Sequence, residues 1–308
     1  MRYAIIADIH GNITALNAIL EDCKTQNIDQ YLFLGDYYGD FPMINQVITR
    51  IREIDNALYI NGNKEERLIQ AMNTKPQERT NEQFAPLYWH LDNITAENFR
   101  FIKELPDKLS FSIGKLKCYI AHSPSQHFNY GIVDSFNGRT FYDRFGKDYT
   151  NHQEYLAYIN DKLQADKLPD VTEGIYIFGH WHTQWYANIE NRLLINAGSC
   201  GMPLDFNVDA PYTILDTYQE LSVIERRINY DITVPIKALK ESDLYQKAPF
   251  WYDLSILDFE NAKVHLWLFL EFVHELALSK NDLARPYSNE LWQEAITLYS
   301  KKINSGGF

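Results

Sequence analysis

Carboxylate, amide and imidazole side chains recur in this chain at the ends of short apolar runs. Asp8-Ile9-His10 follows Tyr3 to Ala7, Gly35-Asp36 follows Tyr31 to Leu34, His122 follows Lys117 to Ala121, and Gly179-His180-Trp181-His182 follows Ile175 to Phe178. A fifth run, Ala57 to Ile60, leads into Gly62-Asn63. Alternate residues of an extended backbone share a side, so His180 and His182 would point the same way. Oxygen and nitrogen donors without thiolate suit Mn, Fe or Zn in a reactive site rather than a structural zinc. The set Asp8, His10, Asp36, Asn63, His122, His180 and His182 is large enough for two divalent ions if one carboxylate bridges them and water fills the remaining positions.

The runs that carry these donors read as buried strands. Between the first three lie helical patterns: Thr14 to Lys24, apolar at positions 15, 16, 19, 20 and 23, and Pro42 to Arg52, with proline as the opener. A β-α-β-α-β start predicts parallel strands, and α/β sheets bind ligands in the crevice beyond their strands' carboxyl ends. Parallel pairing would therefore gather the donors. After Ile175 the runs Gln184 to Ile189, Arg192 to Ile195, Tyr212 to Asp216 and Leu221 to Arg226 read as a meander with mixed or antiparallel pairing. Segments 65–108 and 124–170 read as helical or irregular insertions that overhang the active face. From Ile232 the pattern is helical, near 236–244, 259–279 and 288–302, with the last residues, 304–308, frayed. Those helices carry Trp251, Trp267 and Trp292 and enough apolar surface to pack on the body or form a homo-oligomer contact.

In their order, Asp-x-His, Gly-Asp, Gly-Asn, a lone His and Gly-His-x-His resemble the calcineurin-like metallophosphoesterase superfamily. More narrowly, Asp8-Ile9-His10-Gly11-Asn12, the loop from Asn196 to Pro203 and the run Tyr212 to Asp216 look like its bacterial and archaeal branch of small phosphoesterases. The resemblance covers roughly residues 1–227 and does not reach the C-terminal helices. It implies an α/β fold, a four-layer α-β-β-α sandwich of two facing mixed sheets over residues 1–231, with 232–308 as a C-terminal helical appendage. By the same resemblance Asp8, His10 and His182 hold one metal, Asn63, His122 and His180 the second, and Asp36 bridges them. A hydroxide between the two ions would attack a phosphomonoester or phosphodiester, with Asn63, Lys64 and His122 in the catalytic group. One position departs: many members have His after the Gly-Asn pair, and this chain has Gly62-Asn63-Lys64-Glu65. That His is the usual proton donor to the leaving group, whereas Lys64 would orient or neutralise a phosphate as a point charge, and would donate the proton only if the metals lowered its pKa. Two other readings follow: a catalytically weakened phosphate or nucleotide binding module, or a phosphoprotein phosphatase with an open cleft.

Asn12 and Lys64 are the candidate substrate contacts, although Asn12 equally suits a cap for the helix that follows it. His127, Tyr37, Tyr38 and Trp181 are pocket candidates. Ser199 among its glycines fits a tight turn, Cys200 lacks an identifiable His partner, and His90, His152, His265 and His274 stand outside any motif. The formal charge of -12, from 29 Lys+Arg against 41 Asp+Glu and without a basic cluster, argues against bulk nucleic acid or an anionic membrane as the partner. It favours a small phosphorylated substrate or nucleotide drawn in by metal. Cys23, Cys118 and Cys200 cannot form a disulfide framework, which fits a reducing cytoplasm.

Overall fold

In the first strand, β1 (Arg2–Ile6), both faces are covered, and the side-chain alternation decides what covers each. Tyr3, Ile5 and Ala7 face a second sheet, while Ala4 and Ile6 pack under helices. Two-sided burial explains why these strands read as continuous apolar runs. The computed structural model describes residues 1–128, 138–145, 152–166 and 172–305.

Helix α1 (Ile13–Cys23), β2 (Gln30–Phe33), α2 (Ile44–Arg52) and β3 (Ala57–Tyr59) follow, and β1, β2 and β3 pair in parallel as the opening pattern predicts. Next come α3 (Asn63–Ala71), α4 (Ala85–Asn93), α5 (Ala96–Lys103), β4 (Lys108–Ile113), β5 (Leu116–Ala121), α6 (Gly138–Phe145), α7 (His152–Asp166) and β6 (Gly174–Phe178). The strands close with β7 (Gln184–Ile189), β8 (Arg192–Ala197), β9 (Ala210–Asp216) and β10 (Ser222–Ile228). One sheet has the order β10-β9-β1-β2-β3 and the other β4-β5-β6-β8-β7. Both are mixed, with β5-β6-β8 parallel and β7-β8 and β9-β10 antiparallel. Ile175, Ile177, Leu193 and Ile195 interlock with Ile5 and Leu32 between the sheets, while Tyr176, Phe178 and Leu194 turn outward to α6 and α7. The expected four-layer sandwich is present.

Three expectations need correction. The runs from Gln184 to Arg226 do not form one meander: β7 and β8 finish the second sheet, and β9 and β10 cross back to finish the first. β4 escapes the sequence reading because Lys-Leu-Ser-Phe-Ser-Ile alternates on a half-exposed edge instead of running apolar. Of the insertions, 65–108 supplies α3 to α5, whereas the described residues of 124–170 cover the outer face of the second sheet through Tyr155, Leu156, Ile159 and Leu163. The remainder of that insertion, like residues 306–308 of the tail, lies outside the described residues.

The C-terminal helices are α8 (Thr233–Lys240), α9 (Asp243–Lys247), α10 (Pro249–Asn261), α11 (His265–Ser279) and α12 (Asn289–Asn304). The single helix expected over 259–279 is broken at Ala262, whose left-handed φ of 49° ends α10. α10 is buried on several sides, so it lacks the one-sided stripe that would have marked it. It is joined to the sandwich by Phe259, whose ring meets that of Phe41 at 4.9 Å, beside Met202, Tyr252 and Ile256. No helix among the described residues is long and apolar enough to cross a membrane.

Phe259→Ala is expected to cost about 3–5 kcal/mol, the range for emptying a buried aromatic position. Urea unfolding followed by far-ultraviolet circular dichroism checks it. A shift of one transition is expected, and a separate early transition would show the tail unfolding independently of the sandwich.

Candidate metal centre

Each donor sits just past the carboxyl end of a strand: Asp8 and His10 beyond β1, Asp36 beyond β2, Asn63 beyond β3, His122 beyond β5, and His180 and His182 beyond β6. Five of these residues hold left-handed backbone, Asp8 (φ 52°), His10 (54°), Asp36 (53°), His180 (73°) and His182 (61°). Such a conformation costs an L-residue roughly 1–2 kcal/mol, and its concentration here marks a constrained site. Main-chain bonds hold the loops. Asp8 N–H donates to the Gly35 carbonyl (3.1 Å), His10 N–H to Asp36 (2.9 Å), Gly179 N–H to His122 (3.0 Å) and Gly201 N–H to Asp8 (3.0 Å). Glu65, fully buried, accepts from the N–H groups of Asp36 (2.8 Å), Tyr37 (2.9 Å) and Gly62 (2.9 Å), pinning the β2 and β3 loops together. A Cβ at Gly62 would overlap Asp36 Oδ1, and one at Gly179 would overlap Asp8 Oδ2.

The loops bring all seven donors to one point. Asp8 Oδ1 lies 3.9 Å from His10 Nε2, 3.9 Å from His122 Nε2 and 3.5 Å from His182 Nε2. Asp36 reaches both sides, with Oδ2 3.8 Å from His10 Nε2 and Oδ1 3.5 Å from His122 Nε2. Asn63 Oδ1 lies 2.9 Å from His122 Nε2 and 2.8 Å from His180 Nδ1. Two sets close enough to share an ion result, Asp8 with His10 and His182, and Asp8 with Asp36 and His122.

Ring orientation follows from what each outer nitrogen meets. His10 Nδ1–H donates to Asp40 Oδ2 (2.7 Å), His122 Nδ1–H to the Leu34 carbonyl (2.7 Å) and His182 Nδ1–H to the Met202 carbonyl (2.6 Å). Each anchor turns Nε2 inward and raises its donor strength. Asp8 Oδ1 and His10 Nε2 are buried with no hydrogen-bond partner, which suits them to a cation. Burial opposes charge throughout, but attraction between the carboxylates and the imidazoles outweighs it at Asp8, His10, Asp36 and His122. Asp36 and Asp8 push His122 up to about 10, Asp40 and Asp8 push His10 up to about 9, and both Asp8 and Asp36 are held well below the ordinary carboxylate range. Burial, and then the charge of His122, pulls His180 down to about 4.

Over the donors lies a cavity of about 250 Å³ bordered by His10, Asp36, Asn63, His180 and His182. Its far wall comes from the C-terminal helices through Trp251, Leu266, Trp267 and Leu270, with Trp181 from the β6 loop. Lys64 and Arg67, one turn apart on α3, line it too, and neither has a salt-bridge partner among the described residues. A larger cleft of about 660 Å³ adjoins it, sharing Asp40, Lys64, Arg67, Trp251 and Leu270. Of the 65–108 insertion, α3 borders the cavity over the donors through Arg67, and α4 borders only the larger cleft. None of the described residues of 124–170 borders either space.

Asn12 takes the capping alternative: Oδ1 accepts from Ala15 N–H (3.1 Å), Nδ2 donates to the Gly201 carbonyl and Tyr230 hydroxyl, and the side chain does not border the cavity. Tyr37 is a core strut whose hydroxyl donates to Ile60, and Tyr38 lines the larger cleft while its hydroxyl donates to Lys64. His127 packs among Tyr119, Phe128 and Tyr176. Ser199 makes the expected tight turn, donating to the Asp8 carbonyl and accepting from Met202 N–H, and burial pushes the Cys200 thiol up. His152 and His274 pair with Glu225 and Arg285 and border neither space, whereas His265 pairs with Asp258, which itself lines the smaller cavity. His90 differs from these, for it lines the larger cleft with Nε2–H on the Gly39 carbonyl.

Sequence reasoning missed Asp40, Glu65, Arg67, Trp251 and Ser255, whose hydroxyl donates to Asp40 Oδ1 (2.8 Å). Asp40 carried a signal, a second Gly-Asp pair after Gly35-Asp36, and Arg67 lies one turn beyond Lys64. Trp251 and Ser255 carried none.

The model of the calcineurin-like phosphoesterase superfamily domain matches residues 1–220. The chain belongs to that family. It is 27% identical over 256 residues to an uncharacterized protein of Methanocaldococcus jannaschii, covering 80% of this chain and 94% of the relative. A metallophosphoesterase from Sphaerobacter thermophilus is similar in fold at TM-score 0.54 and 22% identity, over 78% of this chain and 94% of that one. A hypothetical protein from Pyrococcus horikoshii OT3 is similar at TM-score 0.58 and 20% identity, over 85% and 98%.

Glu65→Ala strands three buried backbone N–H groups and is expected to destabilise the fold by about 3 kcal/mol or more. Glu65→Gln keeps an acceptor and should cost less. Equal midpoints for Glu65→Ala and the parent in chemical denaturation would show that the clamp is dispensable.

Proposed function

We propose that the chain is a hydrolase of small phosphoesters that works with two divalent ions, Mn, Fe or Zn. Asp8, His10 and His182 hold one ion, Asn63, His122 and His180 the other, and Asp36 joins them. The observation that carries this reading is the orientation of three imidazoles by Nδ1 anchors, with Nε2 of each turned toward buried Asp8 Oδ1 within 3.9 Å. Such a pair lowers the pKa of water enough to provide hydroxide near neutral pH and offsets phosphate charge.

The chain's own groups supply the rest. Lys64 and Arg67 face the cavity from α3 and hold phosphate oxygens, Lys64 as a point charge and Arg67 through its planar fork. Asn63 and His122 fix the end of the site beside Lys64. Trp181, Trp251 and Trp267 wall the space with apolar surface, which strengthens the electrostatic contacts beside it. A cavity of about 250 Å³ walled in this way favours a small phosphomonoester or phosphodiester, including a nucleotide, over a folded phosphoprotein. Three buried, unbridged cysteines support a reducing cytoplasm as the setting.

The purified chain should retain divalent metal and turn over a chromogenic phosphodiester or monoester with Mn, while Asp36→Asn should lose both. Metal and phosphate binding without hydrolysis across a panel of esters would replace this reading with a binding module. Asp40→Asn, which weakens the anchor of His10 without removing a proposed metal donor, should weaken metal binding by about 10- to 100-fold in competition with a chelator. An unchanged affinity would show that His10 is oriented by other means.

A further inference from the structure

The larger cleft is the feature that the proposed chemistry does not use. It adjoins the cavity over the donors, and Trp251 borders both. Its walls come mainly from α3, α4 and the loop after β2, and the C-terminal helices, beyond the family-matched residues 1–220, add one side through Trp251 and Leu270.

The wall chemistry is selective. Phe84, Tyr88 and Trp251 supply aromatic rings, with one face of Tyr88 held by the Arg79 guanidinium, and Gln70 and Gln83 supply amides that both donate and accept. Ring faces with hydrogen-bonding edges suit a flat, polar-edged heterocycle better than an alkyl chain or a bare sugar, since stacking needs a π-face and the amides need partners. Volume agrees: at about 660 Å³ the cleft has the size of sites that take drug-sized organic groups, far more than a phosphate needs. Arg67, exposed and shared by the two spaces, stands where an ester linkage would pass from one to the other.

We infer that the larger cleft is a specificity subsite that takes the nucleobase of a nucleotide substrate, stacked against Trp251 and Tyr88, while its phosphate lies over the donors. The inference rests on the phosphoesterase reading. It makes Trp251 and Tyr88 specificity residues supplied by different elements, one by the C-terminal helices and one by α4.

The test compares adenosine 5′-monophosphate with ribose 5-phosphate, and the methyl diester of each. The reacting ester is the same within each pair and only the base differs. With Mn-loaded protein the base is expected to raise kcat/KM by about tenfold or more, within the span of stacking on aromatic side chains. Trp251→Ala and, separately, Tyr88→Ala should each shrink that ratio toward one. Tyr88→Ala keeps the test open if loss of Trp251 disturbs the tail. A wild-type ratio near one, or variants that lower both members of a pair equally, overturns the subsite. If no ester is hydrolysed, the phosphoesterase reading has failed. The subsite is then judged by calorimetric binding of adenosine 5′-monophosphate against ribose 5-phosphate: tighter nucleotide binding that Tyr88→Ala abolishes supports it, and equal binding overturns it.

Discussion

Two buried carboxylates, Asp8 and Asp36, face a common point, and this concentration of negative charge is the constraint from which the rest of the site follows. An ionised carboxylate taken out of water costs several kcal/mol unless hydrogen bonds and positive charge meet it. Here His180 N–H donates to Asp8 Oδ2 (2.8 Å), Lys64 N–H to Asp36 Oδ1 (2.8 Å), and imidazoles fill the remaining directions. Main-chain donors can reach those oxygens only if the loops leave their strands abruptly, which explains the left-handed residues, the glycines without room for a Cβ, and the Glu65 clamp. A divalent cation is the partner that this arrangement of lone pairs suits best.

The family-matched part of the chain thus carries the donors, while the C-terminal helices set what surrounds them. Trp251, Trp267 and Leu270 form the far wall, and Ser255 holds the carboxylate that orients His10. Phe259 on Phe41 joins the same helices to the loop that follows Asp36. These contacts come from buried hydrophobic and hydrogen-bonded surfaces rather than a linker, so wall and donors share one packing problem.

The donors were legible because their chemistry is confined to short motifs at the ends of apolar runs, and strand direction alone predicts that such ends converge. Two-sided burial made β1, β2 and β6 plain, whereas the half-exposed alternation of β4 and the all-round burial of α10 removed the cues that would have marked them. Asn12 was ambiguous because an N-cap and a ligand contact ask for the same side chain. Glu65, Ser255 and Trp251 act through partners distant in sequence or through backbone groups that no residue letter encodes. Residues fixed by local rules could be read, and residues fixed by tertiary neighbours could not.

The hydrogen bond from Ser255 to Asp40 spans 215 positions and joins a helix outside the family match to a side chain inside it. The family match ends at residue 220, but mechanical dependence does not end there. Exchanging these helices between relatives would resemble a core transplant more than the swap of an accessory module, since the incoming segment must present a hydroxyl to one carboxylate and an aromatic edge to a cavity. A boundary drawn at the end of the family match would separate the carboxylate that orients His10 from the hydroxyl that holds it.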